Sequence, residues 1–178
     1  IQQPCILTTS IAIWRILCQT TPIKTDLYAG HSLGEYSALV AGGKLSMSQA
    51  VTTVKLRGEA MQQAVPLGVG SMAAVLKCDI TKLKLLCDKI SNKLGLSVEI
   101  ANYNSSKQLI ISGHSKAVKE VCTSLREEKI LSKLLPVSAP FHSRLMKKAR
   151  ETMTPSLQDL DIKITSTKII ANTNAKVV

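Results

Sequence analysis

A serine stands at the centre of Gly30-His31-Ser32-Leu33-Gly34, a Gly-x-Ser-x-Gly pattern. A stretch that predicts a short strand precedes it and a helical pattern follows it, the context of a serine nucleophile on a strained turn. Side chains two residues either way would collide with neighbouring backbone, which explains both glycines. The turn would expose the Ser32 hydroxyl, and the Leu33 N–H could donate to an oxyanion. The alternative is a glycine-rich turn whose serine only caps a helix.

His142 is the best candidate, among three histidines, for the base that such a serine needs. Pro140 predicts a helix start, so His142 would lie in the first turn, on a stripe shared with positions 145, 146, 149 and 153. The imidazole would then point towards the packed side. Because a helix N-terminus disfavours an imidazolium, a neutral ring able to accept a proton is expected. The alternative is an ordinary half-buried histidine with a backbone partner.

Arg57 interrupts the apolar stripe of another predicted helix, between Val54 and Met61. A guanidinium on a buried stripe needs an anion, because its desolvation is otherwise unfavourable. That anion could be a protein carboxylate, with Glu35 and Glu59 nearby in sequence. It could equally be a substrate carboxylate held by two parallel hydrogen bonds.

The elements that must position these side chains follow from periodicity and from Gly/Pro breaks. The flanking elements are predicted as a helix from Pro4 to about Gln19, a strand at 27–29, helices at 33–41 and from Ser46 or Ser48 to about 65, a helix from Ser138 and Pro140 to about 157, and a strand at 167–171. Between them, residues 71–137 predict the order β-α-β-β-α-β, which is the split unit of a ferredoxin-like subdomain. The sequence therefore predicts an α/β chain with an inserted small subdomain.

Composition excludes several classes of function. Aromatic residues make up 3% of the chain, too few for a base-stacking nucleic-acid platform, and the net charge of +11 is dispersed rather than gathered in runs. Five cysteines without a Cys-x-x-Cys fit neither a disulfide framework nor a zinc site, and they favour a reducing cytoplasm. Arg15 interrupts the apolar residues 5–18, which are too few to cross a membrane. The segment also lacks the basic start and the small-residue cleavage site of a signal peptide.

Four segments together resemble the malonyl-CoA:acyl-carrier-protein transacylase family, an acyltransferase family of fatty acid synthesis. They are Gly30-His31-Ser32-Leu33-Gly34-Glu35-Tyr36-Ser37-Ala38-Leu39, Leu56-Arg57-Gly58-Glu59-Ala60-Met61-Gln62, Ala101-Asn102-Tyr103-Asn104-Ser105 and Pro136-Val137-Ser138-Ala139-Pro140-Phe141-His142-Ser143. The resemblance implies an α/β-hydrolase-like large subdomain, residues 1–70 and 138–178, with a ferredoxin-like subdomain, residues 71–137, inserted into it. It implies transfer of malonyl from coenzyme A to the phosphopantetheine thiol of an acidic acyl carrier protein, without a metal or resident cofactor.

The resemblance also implies roles for individual residues. Ser32 would be the nucleophile, His142 its base and Arg57 the group that holds the malonyl carboxylate. Leu33 N–H would be one oxyanion donor.

Three further residues would lie around the substrate. Asn102 would lie near the site, His31 near the carboxylate, and Phe141 would be the malonyl-type residue before the base. A Gly-Gln-Gly segment that gives a second oxyanion donor would precede Ile1, and a glutamine that orients the base would follow Val178, so the chain is expected to be a core of a longer protein.

Two other functions fit parts of the pattern. A water-using serine esterase or thioesterase shares Gly-x-Ser-x-Gly but needs an acidic orienter between serine and histidine, and Asp79, Asp88 and Glu99 all fall in the predicted insert. A carrier-binding module without activity would keep the fold alone.

Overall fold

The computed structural model describes residues 2–178, which form six α-helices and six strands. In chain order these are α1 (Gln2–Thr20), β1 (Leu27–Ala29), α2 (Gly34–Ala41), α3 (Met47–Gln62), β2 (Gly70–Leu76), α4 (Ile80–Leu94), β3 (Val98–Ser105), β4 (Gln108–His114), α5 (Ser115–Glu127), β5 (Ser132–Leu134), α6 (Lys147–Gln158) and β6 (Lys168–Ile170). The chain divides into two compact units. The first contains the residues up to Glu59 and Met153–Val178, and the second is Ala60–Thr152.

The first unit is built on a parallel pair of strands. β1 pairs with β6 in a register that sets Leu27 against Lys168 and Ala29 against Ile170. Its core lies among α1, α3 and the α2–α3 connection, and contains Leu7, Ile11, Leu45, Ala50 and Val54. Because parallel strands end at the same edge of a sheet, the segments that follow β1 and β6 emerge side by side.

The second unit contains an antiparallel sheet with the strand order β3-β4-β2-β5. α4 and α5 pack on one face of it, and the buried core between them includes Val75, Leu83, Ile111, Val121 and Leu125. All six predicted elements of this segment are present in the predicted order, and the strand order is that of a ferredoxin-like fold. The predicted α/β fold class is confirmed. The predicted insert, residues 71–137, is shorter than the second compact unit, Ala60–Thr152. The predicted domain division stays a prediction.

Three further features concern the chemistry that the chain could carry. Within residues 2–178, no helix combines the length and the apolar character needed to span a bilayer. The five cysteines are free thiols, with Cys78 and Cys87 buried and Cys5 and Cys18 exposed. In the same range, no three His, Cys, Asp or Glu side chains cluster closely enough to hold a metal ion.

Candidate active site

The Gly-x-Ser-x-Gly segment forms a tight turn between β1 and α2. A Cβ placed on Gly30 would lie 1.9 Å from the carbonyl carbon of Gly34 and 2.4 Å from the Glu35 nitrogen, so only glycine fits there. Ser32 has a φ of 55°, in the left-handed region that non-glycine residues rarely adopt. The expected strained turn is therefore present. The explanation is wrong for Gly34, where an added Cβ would meet no described atom within 4 Å apart from its chain neighbours and the nearby backbone of α2.

The backbone around Ser32 leaves one donor available. The N–H of Gly34 bonds to the His31 carbonyl at 2.9 Å, and that of Glu35 bonds to the Ser32 carbonyl at 3.2 Å. No acceptor among residues 2–178 receives the Leu33 N–H in a hydrogen bond. A free N–H beside the hydroxyl of Ser32 suits an oxyanion donor, which is the role predicted for Leu33.

Arg57 reaches the serine from α3. Its Nη2 donates to Ser32 Oγ at 2.9 Å, and its Nη1 donates to Gln3 Oε1 of α1 at 2.7 Å. Ala50 and Val54, on the same stripe of α3, are fully buried, and Arg57 itself is half-buried. None of the ion pairs formed by residues 2–178 includes Arg57. Glu35 and Glu59, the two carboxylates considered as partners of Arg57, therefore form no ion pair with it. The guanidinium instead bonds to the hydroxyl of the candidate nucleophile.

The charges around Arg57 act on one another. Burial lowers the pKa of the Arg57 guanidinium, and the neighbouring Tyr36 and Glu35 partly counter that effect. Burial likewise raises the pKa of Tyr36, which Arg57 opposes and Glu35 reinforces. A guanidinium stays protonated in proteins, so the hydroxyl of Ser32 lies beside a permanent and partly desolvated positive charge. Such a charge favours an anion at this position.

Asn172 and Glu35 tie the serine turn to the segment after β6. The Ser32 backbone N–H donates to Asn172 Oδ1 at 2.9 Å, and the Asn172 backbone N–H donates to Glu35 Oε1 at 3.0 Å. Neither Asn172 nor Gln3 was predicted from the sequence as a site residue. The parallel pairing of β1 with β6 could have pointed to Asn172, because polar residues at the carboxyl edge of a parallel sheet commonly line a site. No sequence signal pointed to Gln3.

His31 is exposed and lines a groove of about 320 Å³ at this edge. The groove is bounded by Ala29, Gly30, His31, Ile170, Ala171, Asn172 and Ala175. The structure thus brings Ser32, Leu33, Arg57 and His31 together in the first unit. The role predicted for His31 beside a carboxylate stays a prediction.

His142 belongs to the second unit and lies in a turn rather than in a helix. The predicted helix start at Pro140 is wrong: a 3-10 turn begins at Arg144 and α6 begins at Lys147. His142 has a φ of 58° and is exposed, so it does not extend the buried stripe of Ala149 and Met153. The physical reason is that a left-handed residue cannot continue a right-handed helix.

Neighbouring side chains hold this turn. The buried Ser143 hydroxyl donates to the Pro140 carbonyl at 2.7 Å and accepts from the Leu145 N–H, so Ser143 caps the 3-10 turn that precedes α6. The Glu99 carboxylate accepts from the Arg144 N–H at 2.6 Å. The two residues that follow His142 are therefore held by hydrogen bonds, which restrain the turn that contains it.

Asn102 and Phe141, the other predicted site residues, also belong to the second unit. Asn102 lies on β3 next to a register shift, where it pairs with Ile110, and it is half-buried. Phe141 is half-buried and immediately precedes His142. Of the carboxylates that an esterase would need as an orienter, Asp79 caps α4 and Glu99 bonds to Arg144. The predicted roles of Asn102, Phe141 and His142 stay predictions.

Comparisons with known proteins agree with one another. The family described as acyl transferase domain matches residues 1–177. The malonyl CoA-acyl carrier protein transacylase of Bacillus subtilis strain 168 is 46% identical over 177 residues, which are 98% of this chain and 55% of that protein. The crystal structure of FabD from Acinetobacter baumannii matches with a TM-score of 0.96 and 43% identity, over 99% of this chain and 56% of the other.

A third match is a malonyl-transacylase in complex with its type II polyketide synthase acyl carrier protein. It has a TM-score of 0.94 and 34% identity, over 99% of this chain and 57% of that one. The chain therefore spans little more than half the length of the relatives that it matches.

Proposed function

The chain belongs to the acyl transferase domain family, and from that premise we propose that the protein transfers a malonyl group from coenzyme A to acyl carrier protein. The acceptor is the phosphopantetheine thiol of the carrier, and the group travels as an ester on Ser32. The reaction supplies malonyl units for fatty acid synthesis. No metal or resident cofactor takes part, since coenzyme A is a substrate and phosphopantetheine belongs to the acceptor.

The observation that supports this function most directly is the 2.9 Å hydrogen bond from Arg57 Nη2 to Ser32 Oγ. In a malonyl ester the free carboxylate is separated from the acyl carbon by one methylene. A guanidinium that touches Oγ is therefore within reach of that carboxylate and can bind it through two nitrogens. This supports the substrate carboxylate as the anion that the sequence left undecided.

The first half-reaction forms the ester. The Ser32 hydroxyl gives its proton to the His142 imidazole while Oγ attacks the thioester carbonyl carbon. The negative charge that develops on the carbonyl oxygen is stabilised by the Leu33 N–H. The carbon–sulfur bond then breaks, and the thiolate of coenzyme A leaves with the proton from His142. Arg57 turns from Oγ to the malonyl carboxylate and holds it.

The second half-reaction reverses the first with a different thiol. His142 takes the proton of the phosphopantetheine thiol, and its sulfur attacks the ester carbonyl. The bond to Oγ breaks, and Ser32 recovers its proton from His142. We assign His31, Asn102 and Phe141 to the walls of the malonyl site. The net charge of +11 suits an acidic carrier, because complementary charge speeds encounter.

A transfer assay in the complete natural protein tests this function. Incubation with malonyl-CoA and the phosphopantetheine-bearing carrier should form the malonyl thioester of the carrier faster than free malonate. Ser32→Ala should lower the rate of thioester formation to background. Malonate as the main product in the presence of carrier would instead indicate the serine esterase. Carrier binding without any acyl adduct would indicate the module without activity, and either result overturns the proposal.

A further inference from the structure

Asn172 lies outside every motif of the sequence, yet its contacts converge on the candidate nucleophile. Its Oδ1 accepts from the Ser32 N–H at 2.9 Å, and its own N–H donates to the Glu35 carboxylate at 3.0 Å. We propose that Asn172 is a positioning residue, which holds the Ser32 turn in the conformation that reacts. This inference rests on the proposed role of Ser32 in acyl transfer.

The turn needs such a support because its backbone is unfavourable by itself. The left-handed φ of Ser32, 55°, persists in non-glycine residues only when surrounding groups fix it. The turn's own bonds, Gly34 N–H to His31 and Glu35 N–H to Ser32, restrain the peptides that follow Ser32. The bond to Asn172 Oδ1 restrains the peptide that precedes it. Loss of that bond would let the 31–32 peptide rotate and carry both the hydroxyl and the Leu33 N–H away from their positions.

Asn172 contacts the serine turn but lies outside the packed core, so a substitution there can disturb the turn without disturbing the core. It follows β6 by two residues, is exposed, and lines the groove with Gly30 and His31. An exposed residue contributes little to a packed core, so its replacement should leave the stability of the protein nearly unchanged. The effect should fall on the rate of acylation rather than on the affinity for malonyl-CoA, because Asn172 bonds to the turn and, among the described residues, forms no hydrogen bond with Arg57.

The test compares three variants of the complete natural protein. Asn172→Ala removes the acceptor, and Asn172→Asp keeps an oxygen in its place while setting a second carboxylate near Glu35. Asn174→Ala is the matched control, because Asn174 lies in the same segment and its Oδ1 accepts from the nearby Lys176 N–H rather than from the serine turn. The measurements are the single-turnover rate of Ser32 acylation by malonyl-CoA, the KM for malonyl-CoA, and hydrogen exchange at the Ser32 amide by NMR.

Asn172→Ala should lower the acylation rate about tenfold, which corresponds to about 1.4 kcal/mol, with KM unchanged within about twofold. Exchange of the Ser32 amide should accelerate, Asn172→Asp should recover part of the rate, and Asn174→Ala should match the wild type. An unchanged acylation rate in Asn172→Ala overturns the inference, with or without faster exchange. A loss of the same size in Asn174→Ala also overturns it.

The exchange measurement separates this inference from the proposed function. If the wild-type protein forms no malonyl ester, the proposed function fails and exchange alone decides the role of Asn172. Faster exchange at Ser32 in Asn172→Ala, but not in Asn174→Ala, then supports the positioning of the turn. Equal exchange in both variants contradicts it.

Discussion

At the scale of single residues, the candidate site contains a cation that pairs with no carboxylate among the residues that the structure describes. Arg57 bonds to Ser32 and Gln3, and no ion pair among residues 2–178 includes it. Because burial already lowers its pKa, a substrate carboxylate that binds there relieves part of the unfavourable desolvation. The same positive charge would give nothing to an acyl group without a carboxylate, so Arg57 should act as a selectivity residue.

Arg57→Ala should lower kcat/KM for malonyl-CoA by roughly a hundredfold, as expected for the loss of a charge-assisted pair of about 3 kcal/mol. Transfer of an acetyl group, which lacks the carboxylate, should change by less than about threefold. Arg57→Lys, which keeps the charge without the planar fork, should lie between the two. Steady-state kinetics with both thioesters measures the effect. Equal losses for malonyl and acetyl transfer would show that Arg57 is structural.

At the scale of elements, two short connections contain the residues proposed as nucleophile and base, and both residues have a left-handed backbone conformation. Ser32 follows β1 with a φ of 55°, and His142 precedes α6 with a φ of 58°. Each is held by bonds from a different element: Asn172 reaches the first turn from beyond β6, and Glu99 reaches the second from β3. Side chains from β3 and from the segment after β6 therefore help to hold backbone conformations that are unfavourable for the turns alone.

The two glycines of the serine turn form a matched pair for a test. Gly30→Ala should destabilise the protein by more than about 2 kcal/mol and abolish acylation, because its Cβ would overlap the Gly34 carbonyl. Gly34→Ala should leave stability unchanged or raise it by up to about 1 kcal/mol, because Gly34 begins α2 and alanine favours helix. Urea unfolding and the acylation rate check both. Similar behaviour of the two variants would contradict the described turn.

The sequence pattern predicted most of these elements, but it did not predict the long-range contacts of the site or the start of α6. The periodicity of apolar residues and the Gly/Pro breaks predicted all six elements of 71–137, and the stripe of α3 singled out Arg57, because burial follows from local periodicity. Asn172 and Gln3 could not be found in this way, since their partners lie 140 and 54 residues away. The start of α6 was misplaced because Ser138 and Pro140 resemble a helix start, whereas the left-handed backbone of His142 interrupts a helix there and a 3-10 turn capped by Ser143 precedes α6.

At the scale of the whole molecule, two units divide the predicted machinery. Ser32, Leu33, Arg57 and His31 lie in the first, and Asn102, Phe141 and His142 lie in the second. Each unit has its own buried core, so a substitution in one core should report on the unfolding of that unit. The core of the second unit contains a titratable group whose pH dependence can be tested.

Burial raises the pKa of the Cys87 thiol to about 12, above the ordinary value of 9.0. Between these values the unfolded chain loses the proton while the folded protein keeps it, so the stability falls as pH rises. From about pH 7 to about pH 10, this group should remove about 1.4 kcal/mol from the free energy of unfolding. Urea titrations of wild type and Cys87→Ala at both pH values measure it. Equal losses in both proteins would contradict a buried thiol.

Peptide mapping of the trapped enzyme shows whether Ser32 carries the acyl group. The complete natural protein is mixed with malonyl-CoA, quenched in acid within a turnover, digested and sequenced by tandem mass spectrometry. We expect one malonyl ester, on the Ser32 hydroxyl, and none in Ser32→Ala. A malonyl ester on another residue, or an adduct that persists in Ser32→Ala, would contradict it.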